Sequence, residues 1–188
     1  MNKLLIGLIL TGSWANAADL TVSVAPWTGY DSAARRSFFR SLAAVGVSWQ
    51  SPDLNLGVEG VYSIASNSHF DGAFIEKSNG GVFLLLTCDH SLDADRSIGI
   101  LVGVATRDID VSTGAKDSHL STNPTGSAGF RYVQNLKYAL LTEGPKQFVS
   151  LTYLYVPSIS QQVSFSGTDY RIELSPTHSL YASFGIRF

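Results

Sequence analysis

The sequence predicts an all-β fold, an eight-stranded antiparallel transmembrane up-and-down β-barrel, and three observations carry that prediction. The first 17 residues have the layout of a secretory leader. The remainder alternates large apolar residues with small or polar ones at period two. The chain closes on a phenylalanine, with apolar residues at every second place before it. Composition narrows the field further. A length of 188 residues suits one domain, and a net charge of -2 does not suit a nucleic-acid binder. With 15% charged residues the chain is no disordered solvating segment, and one cysteine excludes a disulfide framework or a Cys-rich metal site.

Met1–Ala17 reads MNKLLIGLILTGSWANA: Lys3 as a positive n-region, Leu4 to Leu10 as an apolar h-region, and Ala15-Asn16-Ala17 as a cleavage site. The apolar run falls short of the roughly 20 residues a membrane-spanning helix needs. No cysteine follows the cleavage site, so no lipoprotein is expected. The expected organisation is therefore a cleaved signal peptide, 1–17, and one outer-membrane barrel domain, 18–188, in a Gram-negative-type cell.

Period two recurs along 18–188. Leu54, Leu56, Val58, Tyr62 and Ile64 alternate with Asn55, Gly57, Glu59 and Ser63. Val45, Val47 and Trp49 alternate with Ala44, Gly46, Ser48 and Gln50. Ile98, Ile100, Val102 and Val104 alternate with Gly99, Gly103 and Ala105; Phe130 and Tyr132 flank Arg131; Val149, Leu151, Tyr153 and Tyr155 flank Ser150 and Thr152. A soluble sandwich also has one dry and one wet face. Here, though, the polar face is crowded with Gly, Ala and Ser plus isolated ions, which suits the inside of a narrow cylinder. The other face carries aliphatics flanked by Trp49, Tyr62, Tyr132 and Tyr138, as lipid contact with interfacial girdles requires.

Eight strands follow, at 19–28, 36–50, 53–66, 73–88, 96–109, 125–142, 147–165 and 169–188. Short turns are expected at Ser51-Pro52-Asp53, Asp89–Asp95 and Glu143–Lys146. Longer loops are expected at Thr28–Arg35, Asn67–Gly72 and Ile109–Pro124. The run Val82–Cys88 (VFLLLTC) is apolar throughout, so alternation leaves its facing open. Segment 158–176 reads either as irregular loop or as a β-ribbon, since Tyr170, Ile172 and Leu174 keep the phase of the last strand and Ser175-Pro176 interrupts it.

An eight-stranded barrel is just wide enough for side chains to fill it. The alternation turns Arg40, Glu59, Arg107, Arg131, Lys137 and Arg187 inward, and burial demands that they pair. Glu59 is the expected hub, with Asp169 and Glu173 as further partners for the surplus cations.

In the last strand, Leu180, Ala182, Phe184, Ile186 and the terminal Phe188 alternate with Tyr181, Ser183, Gly185 and Arg187. Phe184, Ile186 and Phe188 resemble the C-terminal assembly signal of outer-membrane barrels. With alternation and strand count, they make 18–188 resemble the small eight-stranded outer-membrane proteins of the adhesin-invasin and opacity class. The resemblance is architectural, so no member's binding residues transfer. It implies assembly by the barrel-assembly machinery, and an outer rim that meets lipopolysaccharide, host matrix or other cells. The rim residues that the loops offer are Trp27, Tyr30, Arg35, Arg36, His69 and Phe70.

Two enzyme types use barrels of this size on lipid A acyl chains. The deacylase pattern, His-x-Ser on one strand face, fails at His178-Ser179, which are adjacent and point apart. His119-Leu120-Ser121 has the spacing but falls in the longest polar segment. No catalytic, cofactor or metal residues are therefore assigned, and the four scattered histidines read as surface residues. The expected function is a monomeric, non-enzymatic surface or envelope protein acting through its outer loops. A lipid A-modifying enzyme and a conduit for small apolar solutes are the alternatives.

Overall fold

The computed structural model describes residues 18–25, 30–31, 36–37, 41–50, 53–64, 75–112, 117–136, 145–165, 168–174 and 176–188. In chain order the strands are β1 (Ala18–Ala25), β2 (Tyr30–Asp31), β3 (Arg36–Ser37), β4 (Ser41–Gln50), β5 (Leu54–Ile64), β6 (Ile75–Ser91) and β7 (Arg96–Ser112). They continue as β8 (Asp117–Ser121), β9 (Thr125–Asn135), β10 (Lys146–Val156), β11 (Ile159–Phe165), β12 (Thr168–Leu174) and β13 (Thr177–Arg187).

Eight of these form a cylinder, in the order β1-β4-β5-β6-β7-β9-β10-β13, and β13 returns to pair with β1. Every pairing is antiparallel. Closure leaves the cylinder no free edge, as a bilayer demands. One end carries the turns and both described termini; the other carries the long connections.

Facing follows the sequence phase. Val45, Val58, Leu84, Ile100, Val102, Phe130, Leu151 and Phe184 are exposed on the outside, a continuous apolar surface of the kind lipid contact requires. Glycines and small polar residues, among them Gly57, Ser63, Thr87, Ser150 and Ser183, are buried inside. In the apolar run of β6, Val82, Leu84 and Leu86 face out, while Phe83 and Leu85 face in. It is apolar throughout because both its faces are dry. The inner ones join Val61, Leu101, Leu154 and Val156 in an apolar core. The interior is thus greasier in its loop-end half than a lining of glycine and serine alone implies.

Several boundaries move. β6 runs on through Ser91, so the expected Asp89–Asp95 turn narrows to Leu92–Asp95. There Asp93 Oδ1 accepts from the Asp95 and Arg96 amides (2.9 and 2.8 Å), and its Oδ2 from Arg96 Nε (2.6 Å). The Arg96 side chain, then the Asp95 N–H, hold the Asp93 carboxyl below its ordinary value. The contact therefore persists above the usual aspartate range and is lost as pH falls through that depressed value. Of the expected strand 125–142 the described part, β9, runs to Asn135, beside the start of β7 at Arg96, and the Leu136 amide still donates to Gln147 O of β10 (2.9 Å); residues 137–142 lie outside the described set.

The expected loop 109–124 is largely strand. β7 continues to Ser112 and pairs with β8. Between Ala105↔Thr125 and Asp108↔Ser121, three residues (Thr122–Pro124) stand against two, a bulge that Pro124 favours by lacking an N–H. Segment 158–176 is a ribbon. The pairs Val156↔Thr177 and Ile159↔Leu174 belong to one register, and Pro157 falls opposite Pro176 between them. Neither proline can donate to the ladder, so the strand breaks there and resumes in β11–β12.

Candidate functional site

Among the described residues, and apart from the Asp93–Arg96 turn, polar side chains gather in the barrel interior and at the loop-end rim. Inside, Arg131 of β9 donates through Nη1 to Glu59 Oε2 of β5 (2.7 Å). Its Nε and Nη2 donate to Asp89 Oδ1 and Oδ2 of β6 (2.8 and 2.5 Å). The side chains of Arg131, Glu59 and Asp89 are 14%, 16% and 5% exposed. One fork-shaped cation thus serves two carboxylates, one of them bidentately, which suits guanidinium and no other side chain. Arg131, rather than Glu59, is the hub.

Asp89 stands inside the turn that composition suggests, which conceals it from the sequence. Its signal is the phase it shares with Phe83, Leu85 and Thr87, which becomes decisive once β6 extends to Ser91. Gly99, next to Asp89 across the ladder, leaves the space this carboxylate fills: a Cβ there would meet the Asp89 carboxyl. Gly99→Ala is therefore expected to cost about 1–3 kcal/mol, the usual range for overpacking. Urea unfolding of the reconstituted barrel measures it, and an unchanged midpoint would rule out this packing.

Arg187 lies nearer the turn end, with Nε 3.8 Å from Asp19 Oδ2 and its guanidinium 5.6 Å above the Phe148 ring. Gln50 donates to the same Asp19 oxygen. Gly185 is required beside it, since the Phe148 ring fills the position of any Cβ. Arg107 sits at the loop-end rim instead of reaching Glu59. Its amide donates to Thr122 Oγ1 (2.8 Å), and its Nη2 lies 3.5 Å from the carbonyl oxygens of Val156 and Pro157. Asp169 and Glu173 are not interior partners either. Asp169 accepts from Ser164 Oγ and Glu173 pairs with Arg171 (2.9 Å), all within the ribbon. Arg40 and Lys137 lie outside the described residues.

This filling leaves little space. The cavity beside Arg131 is ≈ 30 Å³, while a ≈ 590 Å³ bowl opens at the turn end. Asn55 and Arg187 line both.

At the rim, Gln161 Oε1 of β11 accepts from the Asn123 amide (2.9 Å), joining the ribbon to the bulge beside β8. Ile159 and Leu174 are buried at the ribbon's base. On the outer face just below, Tyr153 and Phe130 stack (4.9 Å), and Tyr153 Oη lies 2.6 Å from His178 Nδ1, with the Tyr155 ring centroid 5.0 Å from that of the imidazole. These rings form an interfacial collar of the kind aromatic girdles supply. Of the expected rim residues, Tyr30 and Arg36 fall in β2 and β3, where Tyr30 pairs with His178. Trp27, Arg35, His69 and Phe70 lie outside the described residues. Among the described residues no group of three His, Cys, Asp or Glu is arranged to hold a metal. Phe184 is exposed on the outer face and Phe188 at the turn end, with its amide donating to Leu20 O (2.9 Å).

No family model and no curated protein matches the chain. Solved structures do. Ail, the attachment invasion locus protein of Yersinia pestis, is similar with a TM-score of 0.56 at 8% identity, covering 91% of this chain and 97% of its own. A major outer membrane protein from Thermus thermophilus is similar with a TM-score of 0.54 at 14% identity, covering 92% and 100%. The fold is that of the small outer-membrane barrels. Ail solved with the heparin analogue sucrose octasulfate gives a TM-score of 0.50 at 10% identity, over 91% of this chain and 97% of that one.

Proposed function

We propose that the chain is a non-enzymatic outer-membrane protein, exported with residues 1–17 removed, that binds a ligand on a host or neighbouring cell through the loop end of its barrel. The observation that carries this reading is the build of that end. Two strand-formed extensions, β7–β8 and β11–β12, stand on a filled cylinder and are joined through Gln161 and Asn123. A ligand surface made of strands loses less conformational freedom on binding than free loops do.

In this orientation the turn end faces the periplasm, where Phe184, Ile186 and Phe188 serve recognition by the barrel-assembly machinery. The outer face meets lipid, with the collar around Tyr153 at the level of lipopolysaccharide headgroups. The protein acts as a monomer in its own membrane. Likeness to Ail, whose name speaks of attachment and invasion and which has been solved with a heparin analogue, supports a surface-binding role. The Arg131 cluster favours a plug over a conduit, because its carboxylates and guanidinium satisfy one another across the lumen. The histidine best placed on the lipid face, His178, has Nδ1 engaged by Tyr153 and presents no serine on its own strand face.

The test is adhesion of cells displaying the wild-type chain or a variant in which residues 109–121 are replaced by a two-residue turn. Heat-dependent gel migration establishes that both barrels are formed. Adhesion to matrix-coated or cell-covered surfaces is expected to fall about thirtyfold in the variant, the loss that corresponds to a binding hot spot of about 2 kcal/mol. Undiminished adhesion would remove the rim as the binding region, and acyl changes in lipid A by mass spectrometry would favour an enzyme instead.

A further inference from the structure

We infer that the ribbon couples one copy of this chain to another in a facing membrane, by antiparallel pairing of their β12 edges. The inference rests on the reading that the loop end faces outward, and it names a second copy of the chain as one partner of that end.

The ribbon continues the β10–β13 hairpin in a single register past Pro157 and Pro176. Seven residue pairs lie beyond the prolines, from Ile159↔Leu174 to Phe165↔Thr168. At about 3.4 Å per residue they reach roughly 20 Å past the break. The two edges of this ribbon differ. β11 lies on the side of the β8 bulge, held by Gln161 and Asn123. Among the described residues β12 pairs only with β11, and its other edge has no strand partner among them.

Charge decides what that edge accepts. Asp169, Arg171 and Glu173 alternate along one exposed face of β12. A charged edge repels most strands, which is how exposed edges are ordinarily kept unpaired. It admits a strand whose charges run in the opposite order, and an antiparallel copy of β12 has that order. A two-fold axis at Tyr170 sets Asp169 opposite Arg171 of the second copy, and Arg171 opposite its Asp169. Opposite-charge pairs directly across a ladder are favourable and like pairs are not. This register also sets Thr168 of each ribbon opposite Ile172 of the other, so the described parts of the two β12 strands overlap from Thr168 to Ile172.

The same axis fixes where the second copy sits. In one membrane, the β12 strands of two copies both run toward the bilayer and are parallel. They become antiparallel only when the second ribbon arrives from the opposite side. The pairing is isologous, so it closes at two copies and grows no filament. A single link of this size is weak, and many links across one contact zone make it firm.

The experiment uses vesicles carrying the full-length purified barrel, with clustering read by turbidity and by microscopy of two dye-labelled populations. Wild-type vesicles are expected to cluster. Asp169→Arg vesicles and Arg171→Asp vesicles are each expected to cluster at least tenfold less, because every cross-copy pair becomes like-charged. Mixing these two populations is expected to restore clustering, since a chain with arginine at both positions then faces one with aspartate at both. Heat-dependent gel migration reports the fold independently, and both substitutions lie outside the membrane. Dispersed wild-type vesicles, unimpaired single variants, or a mixture that stays dispersed would each overturn the proposal. Cell adhesion that persists while vesicles stay dispersed would sink this inference and leave the ligand-binding reading standing.

Discussion

Replacing Arg131 by methionine is expected to destabilise the barrel by roughly 3–5 kcal/mol, the usual cost of removing one member of a buried ion cluster. The loss arises less from the missing attraction than from what stays behind. Glu59 and Asp89 would share a narrow lumen with no cation between them, at side-chain exposures of 16% and 5%. Urea titration of the protein in lipid vesicles, followed by the ratio of folded to unfolded bands on unboiled gels, measures the effect. The companion variant, Arg131→Met with Glu59→Gln and Asp89→Asn, removes the charges together and is expected to recover most of the loss. A single substitution as stable as wild type would mean that the cluster is incidental to the fold.

An arginine at Val102 is expected to cost about 2–4 kcal/mol in lipid, the range for a cation at the midplane of a barrel's outer face. Val102 is 49% exposed and lies in the part of β7 that pairs on both sides within the cylinder, between Leu86 and Ala128 on the neighbouring strands. On a protein surrounded by water, a substitution at so exposed a position changes stability by no more than about 0.5 kcal/mol. The same mutation thus gives widely separated results in the two solvents. Unfolding in vesicles of increasing acyl-chain length sharpens the test, since the penalty grows with distance from the headgroups. A neutral result would mean that the apolar exterior does not face lipid.

Much of the architecture is legible in the alternation because burial selects a face, and the faces of a strand repeat every second residue. That phase alone places Glu59, Arg131 and Arg187 inside and Val58, Val102 and Phe184 outside. It is silent on Val82–Cys88, where lipid on one side and the apolar core on the other demand the same residue types. It undercounts the interior acids because Asp89 stands at the head of a string, DHSLDAD, that looks like a turn by composition. Arg107 reads as a member of the interior network, but the bulge at Thr122–Pro124 and the nearby end of β10 draw it to the rim, a tertiary effect without a local signature. The phase of Tyr170, Ile172 and Leu174 is readable as ribbon. Nothing in composition shows that Pro157 and Pro176 face each other, since that follows from pairing across about 20 residues of chain.

The facing prolines divide the hairpin into two territories under different physical constraints. Below them each side chain faces either the apolar exterior or the crowded lumen, where a change of size or charge is costly. Above them the chain is released from both constraints while keeping the alignment inherited from the cylinder. New recognition specificities can therefore be written into 159–174 by ordinary mutation, or grafted there by design, with the anchoring scaffold left to fold as before.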